Sequence, residues 1–330
     1  MKLPLPLRTL AGLAIAAGVA VLGTATAAEN DAPIKMLVGF PAGGSTDAVA
    51  RHLALAMQKE LGGRPVLVEN KPGAGGQLAA QTLKAAKPDG QTLFLSNSHT
   101  VSMIPLTVAN PGFDPAKDFA PVGLIAVSPD VFAINPTVVG NAGMGLREFA
   151  QWVKANPGKG NVGVPAPASA PDFAVTIVSR ALDSDLRSVP YRGDGPVTQD
   201  LMAGQIAAGI GSVGAMMQPA KSGKVKIVAV NGTTRLPQLP DVPTYAELGV
   251  KGYEEVIFAG LFAPAGTPPA LIQTYSNALA KVVKSPDFVE RLAALGLTAA
   301  SSTPRELGER VQRTHQAWTA MVQAVGYKPQ

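Results

Sequence analysis

Apolar residues recur at positions 49, 53, 57 and 61 with Ala50 and Ala54 beside them, so residues 46–61 read as an amphipathic helix resting on a core. The run just before it, residues 34–40, is a strand candidate. The chain continues with "RPVLVEN" as a strand, "GAGGQLAAQTLKAA" as a helix opening at a glycine loop, the turn "KPDG" and the strand "TLFLS". This alternation predicts a parallel sheet covered by helices. From residue 119 two apolar runs, "APVGLIAV" and "DVFAIN", are split by Ser128 and Pro129, a place for the chain to leave its first lobe.

A second alternating unit follows. "LREFAQWVKANPGK" is a helix ended by Asn156, Pro157 and Gly158; "NVGVP" and "LRSVPYRG" are strands; "PDFAVTIVSRAL" and "PVTQDLMAGQ" are helices; "IAAGIGSV" and "KVKIVAV" are further strands. The remainder carries "LPDVPTYAELG", the strand candidate "VIFAGLFAP", and the helices "PPALIQTYSNALAKVVK" and "PRELGERVQRTHQAWTAMVQAV". The expected fold class is α/β, with two αβα lobes and a cleft between them. Residues 29–127 with 233–330 are assigned to lobe 1, and residues 128–232 to lobe 2.

The first 28 residues stand apart from this pattern. Lys2 and Arg8 precede thirteen apolar or small residues from Leu10 to Leu22, and Ala25 and Ala27 occupy the Ala-x-Ala positions before residue 28. This is the layout of a cleaved secretory signal peptide, and its apolar core is too short for a membrane anchor. Export and cleavage are expected. The remaining 302 residues exceed the size of one comfortable core, in keeping with two lobes.

Charge and composition exclude several function classes. The full chain carries 28 basic residues against 23 acidic ones, and losing Lys2 and Arg8 lowers the net charge from +5 to +3. No basic run and few aromatic residues argue against nucleic acid as a partner. The chain has no cysteine, hence no disulfide and no thiol nucleophile. There is no Gly-x-Ser-x-Gly elbow and no Ser-x-x-Lys pair, and His52, His99 and His315 are scattered without metal-ligand spacing. No catalytic residue, metal ligand or cofactor is expected.

The glycine loops are the remaining chemistry. In "FPAGGSTD" the glycines fall where a strand hands over to a helix, and open amides at a helix start favour an anion. The lysine of a phosphate loop is missing. "GAGGQLA" only approaches the dinucleotide pattern, because Gly73 and Gly75 are correctly spaced and the third glycine is absent. A tight turn before a helix and anion binding both remain open for these loops. Asp47 falls in the first helical turn, either bracing the loop or meeting a cationic group. His99 follows a strand at the end where open α/β sheets take ligands. The second unit repeats small-residue loops at strand ends, "PAPASAP", "RGDGP" and "GSVG", with Lys71 and Arg192 as the nearby cations.

Seven stretches in order, "GFPAGGSTDAVARHLA", "VENKPGAGGQLAA", "KPDGQTL", "FDPAKDFAPVGLIA", "VPYRGDGP", "LPDVPTYAELG" and "FAPAGTP", resemble the extracytoplasmic solute receptors of tripartite tricarboxylate transporters, the Bug proteins. The resemblance implies a periplasmic binding protein of type II, a monomer that closes like a flytrap on a small carboxylate and serves membrane permease subunits. It assigns Phe40, Pro41, Ala42, Gly43, Gly44, Ser45 and Asp47 to the first binding loop, with Gly75 beside it and Ser96, Ser98 and His99 at the next strand end. Across the cleft it assigns Ala168, Ser169, Ala170, Asp194 and Ser212. One departure stands out: the family usually has a glycine- and serine-rich loop followed by His-Leu where this chain has "PAPASAPDFA". Pro165, Pro167 and Pro171 stiffen that loop and remove amide donors. The same cleft would serve a sensory protein presenting its ligand to a membrane kinase. An exported α/β enzyme is the reading from another class. Asp47 and Asp194 also leave open an amino acid ligand.

Overall fold

The computed structural model describes residues 1, 32–141 and 143–330. The predicted signal peptide, Met1 apart, lies outside the described residues. Two sheets organise the chain. The first contains β1 (Ile34–Val38), β2 (Val66–Asn70), β3 (Thr92–Asn97), β4 (Phe119–Ser128), β10 (Ile257–Pro264) and the two-residue β11 (Thr298–Ala299), in the order β11-β4-β10-β3-β1-β2. The second contains β5 (Asp130–Ile134), β6 (Asn161–Val164), β7 (Arg187–Pro190), β8 (Ala208–Ser212) and β9 (Lys226–Val230), in the order β7-β6-β8-β5-β9.

The two orders share one logic. In each, three parallel strands lie side by side, and a strand arriving from the other lobe is inserted antiparallel before the last one: β10 between β3 and β4, and β5 between β8 and β9. The alternation of the first unit holds, since β1, β2 and β3 are parallel, and the inserted strands make each sheet mixed, because alternation along the chain reports βαβ units and is silent about a strand that crosses between lobes. Pro129 separates β4 from β5, so one crossing takes a single residue.

Among the described residues the helices of nine residues or more are α1 (Ser45–Glu60), α2 (Gln77–Ala85), α3 (Leu146–Ala155), α4 (Ala170–Ala181), α5 (Asp194–Met202), α6 (Val213–Lys221), α7 (Pro269–Val282), α8 (Pro286–Ala294) and α9 (Pro304–Val325). α1 presents Val49, Ala50, Leu53, Ala54 and Met57 to the core of the first sheet, as the spacing predicts. Burying such a stripe contributes about 1.5–3 kcal/mol per large side chain. α8 and the π-helical turn His99–Met103 are not foreshadowed by the pattern.

α9 joins the lobes. Its first half packs Leu307 and Val311 among Phe94, Phe119 and Phe258 of the first lobe. Its second half places Trp318, Met321 and Val322 in the core of the second, with Phe132, Phe149 and Phe173. The Arg180 guanidinium on α4 donates to the Ala324 carbonyl, and Phe173 meets Tyr327 edge-on at 5.2 Å. The lobes also touch at a glycine pair: a Cβ on Gly214 of α6 would stand 2.1 Å from the Cα of Gly296, next to β11. Among the described residues no helix is long and apolar enough to cross a membrane.

Candidate functional site

Three loops converge where β1, β2 and β3 end. Gly39 lies directly on the "GAGG" loop, since a Cβ there would stand 2.5 Å from the Cα of Gly76. Gly76, at φ +99°, faces Thr100, whose hydroxyl donates to the Gly75 carbonyl at 2.8 Å and whose amide donates to Asn97 Oδ1 at 3.1 Å. Loop-to-loop contact accounts for the glycines at positions 39 and 76. Gly75, at φ +66°, sits below His99, with Nε2 3.0 Å from where its Cβ would be.

Asp47 explains the shape of the first loop. Its carboxylate is buried and accepts the Gly43 amide at 2.9 Å, Arg51 Nε at 2.9 Å and Asn70 Nδ2 at 2.9 Å. Asn70 also donates to the Phe40 carbonyl at 3.0 Å, so the loop is tied to the end of β2. The Arg51 hydrogen bond above all, helped by the Gly43 amide and Asn70, holds the carboxyl down to about 2 against the opposing effect of burial. The Gly43 amide is thereby spent, and Pro41 has none. No side chain caps α1. The amides of Ser45, Thr46 and Asp47 lack partners inside the helix, whose first closed bond runs from the Ala48 amide to the Gly44 carbonyl at 2.9 Å, and they stay open beside an exposed loop whose one acid is matched by Arg51.

The strand-end residues divide. Ser98 is fully buried and accepts the Phe258 amide at 3.3 Å, which fastens β10 to the loop. Ser96 is 1% exposed and its hydroxyl has no partner. His99 keeps part of its surface, but it sits deep enough that desolvation pulls its imidazole down to about 4, neutral at pH 7.

The second lobe rebuilds the first loop with different parts. Asp172 stands at the third position of α4, as Asp47 does in α1, and accepts the amide four residues back, that of Ala168, at 2.7 Å. Gly43 and Ala168 both have positive φ, +82° and +51°. Asp172 is held by the Ser188 hydroxyl where Asp47 has Arg51 and Asn70. Here the helix is capped: Ser169 Oγ accepts the Asp172 amide at 3.4 Å and donates to the Ala166 carbonyl at 2.7 Å, while Pro171 has no amide to offer. Ala170 opens the helix beside them.

Beside this loop, Asp194 begins α5 and accepts from the Ser212 hydroxyl at 2.7 Å and the Ser212 amide at 3.3 Å. Across the ladder Ser212 pairs with Asp130, which is 2% exposed. Asp130 accepts the Tyr253 hydroxyl at 2.8 Å, and its amide donates to Asn231 Oδ1 at 2.8 Å, linking the two crossings between the lobes. Burial pushes the Asp130 carboxyl up to about 7, and the nearby charge of Asp194 adds to the rise. Among the described residues neither Asp130 nor Asp194 has a cation within 4 Å. Lys71 is paired with Glu69 at 2.8 Å, and Arg192 is exposed.

Phe40 to Ser45, Asp47, Gly75, Ser96, Ser98 and His99 are thus gathered at the end of the first sheet, and Ala168 to Ala170, Asp194 and Ser212 at the end of the second. Arg51, Asn70, Asp172, Asp130 and Tyr253 were missed. Asp172 alone carried a signal, an acid at the third position of a helix that follows a small-residue loop, as in "FPAGGSTD". Among the described residues no cluster of three or more ligating side chains is placed for a metal ion.

The family model for the tripartite tricarboxylate transporter family receptor matches residues 49–327. The chain belongs to this family. It is similar to the structure of the periplasmic binding protein BugD, at 33% identity and a TM-score of 0.74 over 91% of this chain and 99% of that one. MatC from Rhodopseudomonas palustris, solved with bound malate, is 31% identical with a TM-score of 0.72 over 88% of this chain and 98% of its own. A second Rhodopseudomonas palustris protein, solved with adipate, is 25% identical with a TM-score of 0.77 over 90% and 98%. The tripartite tricarboxylate receptors are periplasmic binding proteins, and the two sheets with their exchanged strands are the two-lobed type II fold.

Proposed function

We propose that the chain is a periplasmic solute receptor that captures a small organic carboxylate and delivers it to the membrane subunits of a tripartite tricarboxylate-type transporter, with no chemistry of its own. The family match over residues 49–327 carries this reading. Malate in MatC and adipate in the second Rhodopseudomonas palustris structure support a carboxylate as ligand. The open first turn of α1 supplies donors for it, because backbone amides at a helix start and the positive end of its dipole favour an anion. Neutral His99 and the exposed loop from Pro41 to Ser45 complete this side, and the loops at Ala168, Asp194 and Ser212 close the other. The signal peptide is removed near residue 28 during export, and the mature receptor acts as a monomer.

Ligand-stripped mature protein melts at a higher temperature with at least one member of a panel of mono-, di- and tricarboxylates, by mass action on the folded state. A flat response across the whole panel refutes the reading. The bound acid is recovered chemically unchanged after prolonged incubation; recovery of a product overturns the absence of chemistry.

A further inference from the structure

We infer that the ligand of this receptor carries a single carboxylate, held at α1, and that its far end, facing the loops of the second sheet, is uncharged or a hydrogen-bond donor. The inference rests on the receptor reading above and concerns which carboxylates the cleft accepts.

The two ends of the cleft differ in what they offer an anion. At the first sheet the helix start is uncapped, and Asp47, the one acid of the loop, is neutralised by Arg51 at 2.9 Å. At the second sheet the equivalent helix start is occupied: Ser169 caps it and Pro171 lacks an amide, while Asp172 takes the Ala168 amide at 2.7 Å just as Asp47 takes that of Gly43. Pro165 and Pro167 remove two further donors from the same loop. The neighbouring start of α5 has no side-chain cap, but Asp194 stands in its first turn and supplies the negative charge such a site attracts. Asp194 is held only by Ser212, and Asp130 lies behind it with Tyr253 as its partner, so with Asp172 this end holds three acids, none of them paired with a cation among the described residues. Arg192, the single cation of these loops, is exposed, where a lone charge in water contributes little. A second carboxylate brought here would meet like charge without compensating donors, and like-charge juxtaposition is a strong discriminator against a ligand.

Calorimetric titration of ligand-stripped mature protein with length-matched pairs tests this: butanoate against succinate, hexanoate against adipate, 4-methylbenzoate against terephthalate. In the pair that binds, the monocarboxylate is at least about tenfold tighter than its dicarboxylate partner, a gap of about 1.4 kcal/mol. Asp194→Asn retains an oxygen for Ser212 and narrows the gap by strengthening the dicarboxylate. A dicarboxylate that binds wild-type protein as tightly as its partner overturns the inference and leaves the receptor reading standing. A gap that Asp194→Asn leaves unchanged, in a variant that melts with wild type, also overturns it. Absence of binding by every acid in the wild-type protein removes the receptor reading and this inference together.

Discussion

The loop before α1 and the loop before α4 share one plan. Each runs from a strand end through a residue of positive φ to a helix whose third residue is an aspartate reaching back to the amide of that residue. They differ in what else is satisfied. Asp47 is bonded to a guanidinium one turn further along its own helix and to an amide side chain from β2, and the helix start stays uncapped and open. Asp172 leans on a hydroxyl, and Ser169 and Pro171 use up or remove the local donors. One backbone device therefore serves two ends: a helix start without a side-chain cap keeps its amides for a ligand, while self-capping consumes them.

The largest expected effect compares the buried acids at the two ends. Asp47 is held at about 2 by a cation, whereas Asp130 is raised to about 7 by burial. For Asp130 the folded state keeps a proton that the unfolded chain releases above about 4, so its contribution to stability falls as pH rises from about 4 to 7 and is level beyond. Asp130→Asn, which still accepts the Tyr253 hydroxyl, gains on wild type across that window and ends about 4 kcal/mol more stable at pH 8. Urea denaturation at pH 4.5 and 8 measures it, and an equal difference at both values refutes the assignment. Asp47 has the opposite sign: its contribution is complete above about 4 and is lost as pH falls toward 2.

Asp47→Ala comes next. It frees the Gly43 amide and releases Arg51 and Asn70, costing about 2 kcal/mol of stability and, by loosening the donors, about a hundredfold in carboxylate affinity. Calorimetry showing affinity unchanged would break the claim that bracing creates the site. A smaller effect comes from exchanging residues at the positive-φ position. Gly43→Ala costs about 1–2 kcal/mol, and Ala168→Gly is neutral or stabilising by up to about 1 kcal/mol, because the left-handed region suits glycine alone. Equal signs in thermal melts would show that the two turns are not equivalent. The smallest is Ser169→Ala, which removes the α4 cap for about 1 kcal/mol and leaves monocarboxylate affinity within about threefold. A large affinity loss there would make Ser169 a ligand donor instead of a cap.

Much of this was legible in the chain because it is written in short-range terms. The apolar spacing of residues 49–57 marks α1, and Ser128-Pro129 marks a crossing, since both depend on neighbours within a few residues. The positions that resisted reading depend on distant partners. Ser98 looks like a loop hydroxyl until Phe258, 160 residues on, donates to it. Asp130 looks like a strand-edge acid until Tyr253, 123 residues on, buries it. Asp47 posed two alternatives in the sequence, and Asn70 decides between them by coming from another strand. The glycines of "FPAGG" and "GAGG" suggested a ligand, but at Gly39 and Gly76 the close neighbour is another part of the chain. The dual packing of α9 has no sequence mark, because Leu307, Val311, Thr314 and Trp318 form one unbroken stripe although the core beneath them changes.

That stripe limits how the receptor can move. Two polypeptide crossings alone would permit the lobes to bend, twist and slide. A 22-residue helix seated on both removes most of that freedom, because sliding would pull Trp318 from one core or Leu307 from the other. With Gly214 resting on Gly296 at the rim, the lobes have the mechanics of a lid on a fixed pin.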